Sequence, residues 1–182
     1  MKKPILIGAL ALMLAPGLAH AVSIGGAVFG GSSIPIAQDD NGSGSMFGVR
    51  VPVNFVPLIT VEPYWAQTNG GSSSYSAGGV SYTRDGIDNT SLGANVLFEF
   101  GTGVRMFPFA GIGTNKLSRA GLNQSETGYD FGLGFGFNLP LAGLGVDARG
   151  ALNVVTDPAS SDASRKWGEI TVGVSYAIFH LP

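Results

Sequence analysis

Large apolar side chains alternate with small or polar ones over most of this sequence of 182 residues. The clearest case is segment 128–140, GYDFGLGFGFNLP. Its aromatic residues and leucines occupy every second position, and aspartate, glycine and asparagine occupy the positions between them. Because successive side chains of a β-strand point to opposite faces, this period of two predicts strands that are apolar on one face only.

The same alternation predicts eight strands of roughly 9–12 residues, the length of a tilted strand that crosses a bilayer. They are residues 22–30, 47–55, 59–65, 92–100, 104–114, 128–140, 144–154 and 167–178. Long polar segments alternate with short connections between them. The long ones are 31–45, 66–89, 115–127 and 155–166, and the short ones are 56–58, 101–103 and 140–143. One rim of the sheet should therefore carry long loops and the other tight turns.

The charged residues indicate which face meets lipid. Every charge within the predicted strands lies on the small or polar face: Arg50, Glu62, Glu99, Arg105, Asp130, Asp147, Arg149 and Glu169. A soluble lipocalin-like barrel would have the reverse arrangement. The pattern predicts an all-β protein, an eight-stranded antiparallel transmembrane β-barrel, whose closed sheet leaves no backbone group unpaired against lipid.

The first 21 residues predict export. They contain two lysines, a short apolar run and the sequence Ala19-His20-Ala21, which together are typical of a cleavable signal peptide. We expect residues 22–182 to form one barrel domain in the bacterial outer membrane, with both termini in the periplasm. Loss of Lys2 and Lys3 leaves 8 of the 10 basic residues against 12 acidic ones, and this net charge of −4 argues against nucleic acid as a partner.

Two segments resemble a known family. Phe107-Pro-Phe-Ala-Gly-Ile-Gly113 and Val172-Gly-Val-Ser-Tyr176 are similar to strands of the small eight-stranded outer-membrane barrels of Gram-negative bacteria, the OmpX and OmpA transmembrane-domain type of porin-family barrel. The resemblance implies the same fold. It also implies outer-membrane lipid and the barrel insertion machinery as partners, but these motifs do not specify a function.

The alternation also predicts which side chains fill the barrel interior. Besides the eight charges, it places four bulky side chains inside as a plug: Tyr64, Phe107, Phe109 and Trp167. A three-residue turn at 101–103 would set Glu99 opposite Arg105, and Arg50 lies opposite or diagonal to Glu62 depending on a turn of five or three residues near Pro57. We interpret the charges as ion pairs that fill a small barrel. A selectivity or gating network is the other interpretation.

No catalytic residue, cofactor site or metal site is predicted. The one histidine after residue 21, His180, lies at the C-terminal end, so no Ser–His pair can form on the long-loop rim. Loop acids leave aspartate-dependent proteolysis open, although solvated loop charges are the simpler interpretation; they are Asp39, Asp40, Asp85, Asp88, Asp157 and Asp162. Segments 39–43 and 84–88 could also bind calcium, but their residues suit ordinary turns.

The function predicted from these features is non-enzymatic. We expect an outer-membrane barrel with a plugged, polar interior, which acts through surface loops on an unidentified ligand or supports envelope integrity. The alternative is a narrow pore for small solutes or ions.

Overall fold

The computed structural model describes residues 23–36, 42–139, 143–156 and 164–180. The predicted signal peptide and the loop acids Asp39, Asp40, Asp157 and Asp162 lie outside these residues. Eleven strands occur in the described ranges: β1 (Ser23–Pro35), β2 (Gly42–Arg50), β3 (Val53–Val56), β4 (Ile59–Gly71), β5 (Ser73–Ala77), β6 (Val80–Arg84), β7 (Asp88–Phe98), β8 (Val104–Arg119), β9 (Leu122–Asn138), β10 (Leu144–Val155) and β11 (Arg165–His180).

Nine of these strands close into a barrel. Their order is β11-β10-β9-β8-β7-β4-β2-β1-β3, and the pairing of β1 with β11 closes the wall. Strands β2 and β3 are two parts of one wall strand, interrupted at Val51 and Pro52, because proline has no N–H to donate to the ladder. The wall therefore has eight antiparallel strands, which confirms the predicted fold. In the described part of the chain, no helix has the length and apolar character needed to cross a membrane.

The barrel is apolar outside and polar inside. Outward side chains such as Val28 (61% exposed) and Phe131 (52% exposed) form an apolar belt, whereas Glu62 is 1% exposed and Arg50 is 6% exposed. Apolar side chains meet inside in two small groups, one around Phe107 and one around Phe29. This distribution confirms the predicted inside-out arrangement, in which the apolar belt faces lipid.

The strands extend further than predicted at one rim, which we call the hairpin rim (residues 71–88 and 117–124). The prediction of a loop at 115–127 is wrong, since β8 and β9 pair up to Arg119 and Leu122 around a turn at Ala120-Gly121. Likewise, β5 and β6 form a hairpin inside the predicted loop 66–89. Strand pairing depends on backbone hydrogen bonds, whereas the alternation marks only the part of a strand that meets lipid.

At the opposite rim, the turn rim, two predicted turns are wrong. Phe100 pairs with Met106 rather than with Val104, so the turn holds five residues, and Gly101 and Gly103 adopt φ values of 99° and 83° there. Near Pro57 the turn holds two residues, because Val56 pairs with Ile59 and Phe55 is bulged out. Parity is unchanged by a turn of five residues instead of three, which is why the inward faces were still predicted.

Candidate functional site: the barrel interior

Four charged side chains form a cluster in the middle of the barrel, here called the charge cluster: Arg50, Glu62, Asp147 and Arg149. Arg149 donates from Nη1 and Nη2 to the two carboxylate oxygens of Glu62 at 2.6 and 2.9 Å, and from Nε to Asp147 Oδ1 at 2.7 Å. Arg50 donates from Nη1 to Asp147 Oδ1 at 3.0 Å, and its Nε lies 3.8 Å from Glu62 Oε1. All four are buried, and two positive charges balance two negative ones.

The charge cluster crosses the lumen, because its members lie on strands of opposite walls. Glu62 lies on β4 and Arg149 on β10, and these strands lie on opposite walls, separated on one side by β7, β8 and β9. Because the cluster is buried, water and salt screen the attraction between its opposite charges only weakly. Removal of one partner should therefore lower the stability of the barrel strongly. It joins two walls that are not neighbours in the sheet.

Aromatic rings pack on the guanidinium groups of the cluster. The Phe29 ring centroid lies 3.8 Å from Cζ of Arg50, and the Phe107 and Phe109 centroids lie 5.0 and 5.7 Å from Cζ of Arg149. These are cation–π distances. The N–H donors of a guanidinium group lie in its plane, so hydrogen bonds do not cover its two faces. The aromatic rings supply contacts to these faces.

The aromatic rings occupy space that glycines leave free. Phe107 pairs across β8 and β9 with Gly134, and Phe109 pairs with Gly132. A Cβ built on either glycine would meet the ring of its partner. The glycines of segment 128–140 therefore accommodate the inward phenylalanines.

Gly134→Ala is expected to destabilise the barrel by about 1–3 kcal/mol, the usual cost of overpacking, because Phe107 is 2% exposed and has little room to move. Urea unfolding in lipid vesicles measures this loss. Gly150→Ala on the neighbouring strand is the control, since a Cβ there meets nothing within 4 Å. Equal losses at the two glycines, or no recovery when Phe107→Leu accompanies Gly134→Ala, would contradict this packing.

Two further acids lie outside the charge cluster. Tyr64 Oη donates to Asp130 Oδ2 at 2.5 Å, and Trp167 Nε1 donates to Glu169 Oε1 at 2.9 Å. Among the described residues, neither carboxylate has an arginine or lysine within salt-bridge distance. Asp130 and Glu169 thus have neutral hydrogen-bond donors where Glu62 and Asp147 have cationic ones.

The predicted pair of Glu99 and Arg105 lies nearer the turn rim. The guanidinium of Arg105 donates to the carboxylate of Glu99, which also accepts a hydrogen bond of 2.7 Å from Thr60 Oγ1. Their side chains are 25% and 14% exposed, for Arg105 and Glu99 respectively. The two are diagonal neighbours, because Phe107 occupies the position opposite Glu99 that the shorter turn would have given to Arg105.

Arg105→Ala alone is expected to destabilise the protein more than the double change Glu99→Ala with Arg105→Ala, because the single change leaves a half-buried carboxylate without its cation. We expect a coupling energy of about 1–2 kcal/mol, between the values typical of exposed and of buried pairs. A double-mutant cycle by urea titration measures it. Additive losses would mean that the two side chains do not interact.

Within the described residues, cavities lie at three levels of the barrel axis. A cavity of about 210 Å³ at the turn rim is lined by Glu99, Arg105 and the charge-cluster residue Arg149. A central cavity of about 40 Å³ is lined by Tyr64, Asp130 and Glu169 as well as by both cluster arginines. A third, of about 30 Å³, is lined by Trp167 near the hairpin rim.

Several interior residues were missed by the sequence analysis. Phe29 and Met46 are buried inside near the hairpin half of the barrel, and Asn95, Asn153 and Thr171 line the central cavity. A signal existed for Phe29, which lies on the small-residue face of β1 and pairs with Gly48, as Phe107 pairs with Gly134. Asn95, Asn153 and Thr171 carry no such signal, because the alternation shows that a polar residue faces inward but not which side chains it meets there.

Solved structures share this fold. The crystal structure of Neisserial surface protein A matches with a TM-score of 0.61 and 15% sequence identity, over 86% of this chain and 97% of that one. The N-terminal β-barrel domain of Pseudomonas aeruginosa OprF matches with a TM-score of 0.57 and 13% identity, over 86% and 97%. The fold is that of a small outer-membrane β-barrel.

A major outer membrane protein from Thermus thermophilus has the same barrel, with a TM-score of 0.53 and 14% identity over 87% of this chain and 100% of that one. No protein-family model and no curated protein matches the sequence. Identities this low show a common fold alone. The fold and the apolar belt together place the chain in the bacterial outer membrane, as predicted.

Proposed function

We propose that this chain is a non-enzymatic outer-membrane protein whose interior is closed by side chains and whose hairpin rim meets other molecules. The observation that carries the proposal is the charge cluster. It spans the lumen from β4 to β10, and the buried rings of Phe107 and Phe109 pack against it. An eight-stranded barrel has little room beyond its side chains, so this layer supports a closed interior.

The hairpin of β5 and β6 supports a surface role. The rings of Tyr75 and Tyr82 stack at 5.4 Å between centroids, and the two residues are 48% and 46% exposed. Ala77 and Val80 pair beside them on the same face, and Arg84 lies 5.6 Å from the Tyr75 ring. Exposed tyrosines with an arginine are the residues enriched at binding surfaces, because they offer a large contact area with few rotatable bonds.

A catalytic role has little support. His180 ends β11 and pairs with Ser23, which places its backbone at the turn rim, away from the hairpins. Asp88 accepts a hydrogen bond of 3.0 Å from the backbone N–H of Gly70, which links the ends of β4 and β7. Within the described residues, no group of three or more His, Cys, Asp or Glu side chains could hold a metal ion.

Removal of residues 73–84 tests the surface role. The parent barrel and the deletion variant, both in detergent micelles, are applied to an array of immobilised glycans and extracellular proteins. We expect binding by the parent to be lost on deletion and reduced by Tyr75→Ala with Tyr82→Ala, while circular dichroism shows an intact barrel. Array binding that survives the deletion would contradict a role for this hairpin.

A narrow pore is the second candidate. It is favoured by the cavity of about 210 Å³ at the turn rim, which reaches Glu62, Asp147 and Arg149 of the charge cluster. A pore would need the cluster and the rings beside it to move aside. Conductance persists in the deletion variant if the chain is a pore, which separates the two candidates.

A further inference from the structure

The eight charges predicted to face inward do not balance. Three arginines and five acids were predicted to face inward, and two of the arginines are matched by Glu62 and Asp147 within the charge cluster. The third arginine, Arg105, is matched by Glu99. The remaining acids are Asp130 and Glu169, and their hydrogen-bond donors are neutral. Among these inward residues, Asp130 and Glu169 thus have no arginine within salt-bridge distance.

These two acids line the same central cavity of about 40 Å³. Asp130 is 7% exposed, so bulk water screens its charge little. Burial of an uncompensated carboxylate is strongly unfavourable, and the half-buried carboxylate of Glu169 in the same cavity adds repulsion between the two. Arg50 and Arg149 line the cavity as well, but each already binds carboxylates of the charge cluster. Either a bound cation or protons on the two carboxylates can offset this charge.

Asn95 of this cavity has an unused polar atom. Its side chain is 6% exposed, and within the described ranges its Oδ1 has no hydrogen-bond partner. Oδ1 of Asn95 occupies the space where a Cβ of Gly111 would lie, and Gly111 pairs directly with Asp130. The amide oxygen thus points toward the strand that carries Asp130, where a ligand would satisfy it.

We propose that the central cavity binds one divalent cation of the calcium type, held by Asp130, Glu169 and the amide oxygen of Asn95. Carboxylate and amide oxygens are the ligands that such hard cations prefer, whereas softer metals select sulfur and imidazole. Each carboxylate uses one oxygen for Tyr64 or Trp167 and has further acceptor capacity. A charge of two matches the two excess negative charges, and waters complete the coordination.

The test compares three proteins refolded into phosphatidylcholine vesicles with either millimolar calcium chloride or EDTA. They are the parent, the double variant Asp130→Asn with Glu169→Gln, and the control Glu126→Gln. Glu126 is also buried, but it binds the amide of Gln124 and lies outside the central cavity. Refolding in each buffer lets the ion enter before the barrel closes. The amides keep the acceptors for Tyr64 and Trp167, so the double variant is expected to fold.

In EDTA, the double variant should unfold at a higher urea concentration than the parent, because it lacks the repulsion. In calcium, the order should reverse, since only the parent and Glu126→Gln gain stability. Equilibrium dialysis with radioactive calcium should show one bound ion per barrel, lost in the double variant and retained in the control. The same order of urea midpoints in both buffers would overturn the proposal and indicate that protons neutralise Asp130 and Glu169. Equal calcium binding by all three proteins would also overturn it and indicate that calcium binds to loop carboxylates.

Discussion

Glu62→Ala is expected to destabilise the barrel by about 3–5 kcal/mol, the loss typical when one partner of a buried ion pair is removed. Glu62 is 1% exposed and accepts two hydrogen bonds from Arg149, while Arg50 lies 3.8 Å away. Without Glu62, two guanidinium groups share the single carboxylate of Asp147. Reversible urea unfolding in lipid vesicles measures the change.

Two variants separate the loss of the ion pair from the loss of side-chain volume. Glu62→Leu with Arg149→Met removes one charge of each sign, leaves Arg50 paired with Asp147, and should recover much of the stability. Glu99→Ala removes a carboxylate that is 14% exposed, and should cost less than Glu62→Ala. A loss at Glu99 as large as that at Glu62 would contradict the central place of the charge cluster.

A positive charge on the lipid face is the second large effect. Val96→Arg should cost about 2–4 kcal/mol, as arginine does near the bilayer midplane of a barrel. Val96 is 39% exposed on the outer face of β7, and its neighbour Asn95 pairs with Glu62 of the charge cluster, at mid-height of the wall. Val51→Arg, at an outward position that is 44% exposed, should also destabilise the protein.

Ser73→Arg is the control for this effect. Ser73 begins the β5–β6 hairpin beyond the barrel wall, so an added arginine there meets water. Water and salt screen its repulsion of Arg84, the residue opposite. We expect almost no change in the urea midpoint. Similar losses at Val96 and Ser73 would contradict the assignment of the apolar face to lipid.

The sequence predicted the faces of the strands but not the length of every strand. Parity placed Val96 outside and Glu62 inside because one face of each strand meets lipid and the other does not. At the hairpin rim both faces of a strand meet water. The pairing of β8 with β9 up to Arg119 and Leu122 therefore had no alternation to reveal it.

The sequence alone could not predict the contacts across the lumen. Tyr64 and Asp130 lie on β4 and β9, which are not neighbours in the sheet, so their hydrogen bond depends on the stagger of all the strands between them. The same stagger brings Glu62 to Arg149. Nearness across a short turn can predict partners on adjacent strands, as for Glu99 and Arg105, even where the predicted turn length is wrong. It contains no information on contacts across the closed barrel.

Conductance of the purified protein in a planar lipid bilayer tests the closed interior most directly. The unmodified barrel should show no steady current, because the charge cluster and its aromatic neighbours separate the cavities along the axis. Phe109→Ala with Trp167→Ala removes two buried rings and should open a measurable conductance. Stable, ion-selective channels from the unmodified protein would contradict the closed interior and favour a narrow pore.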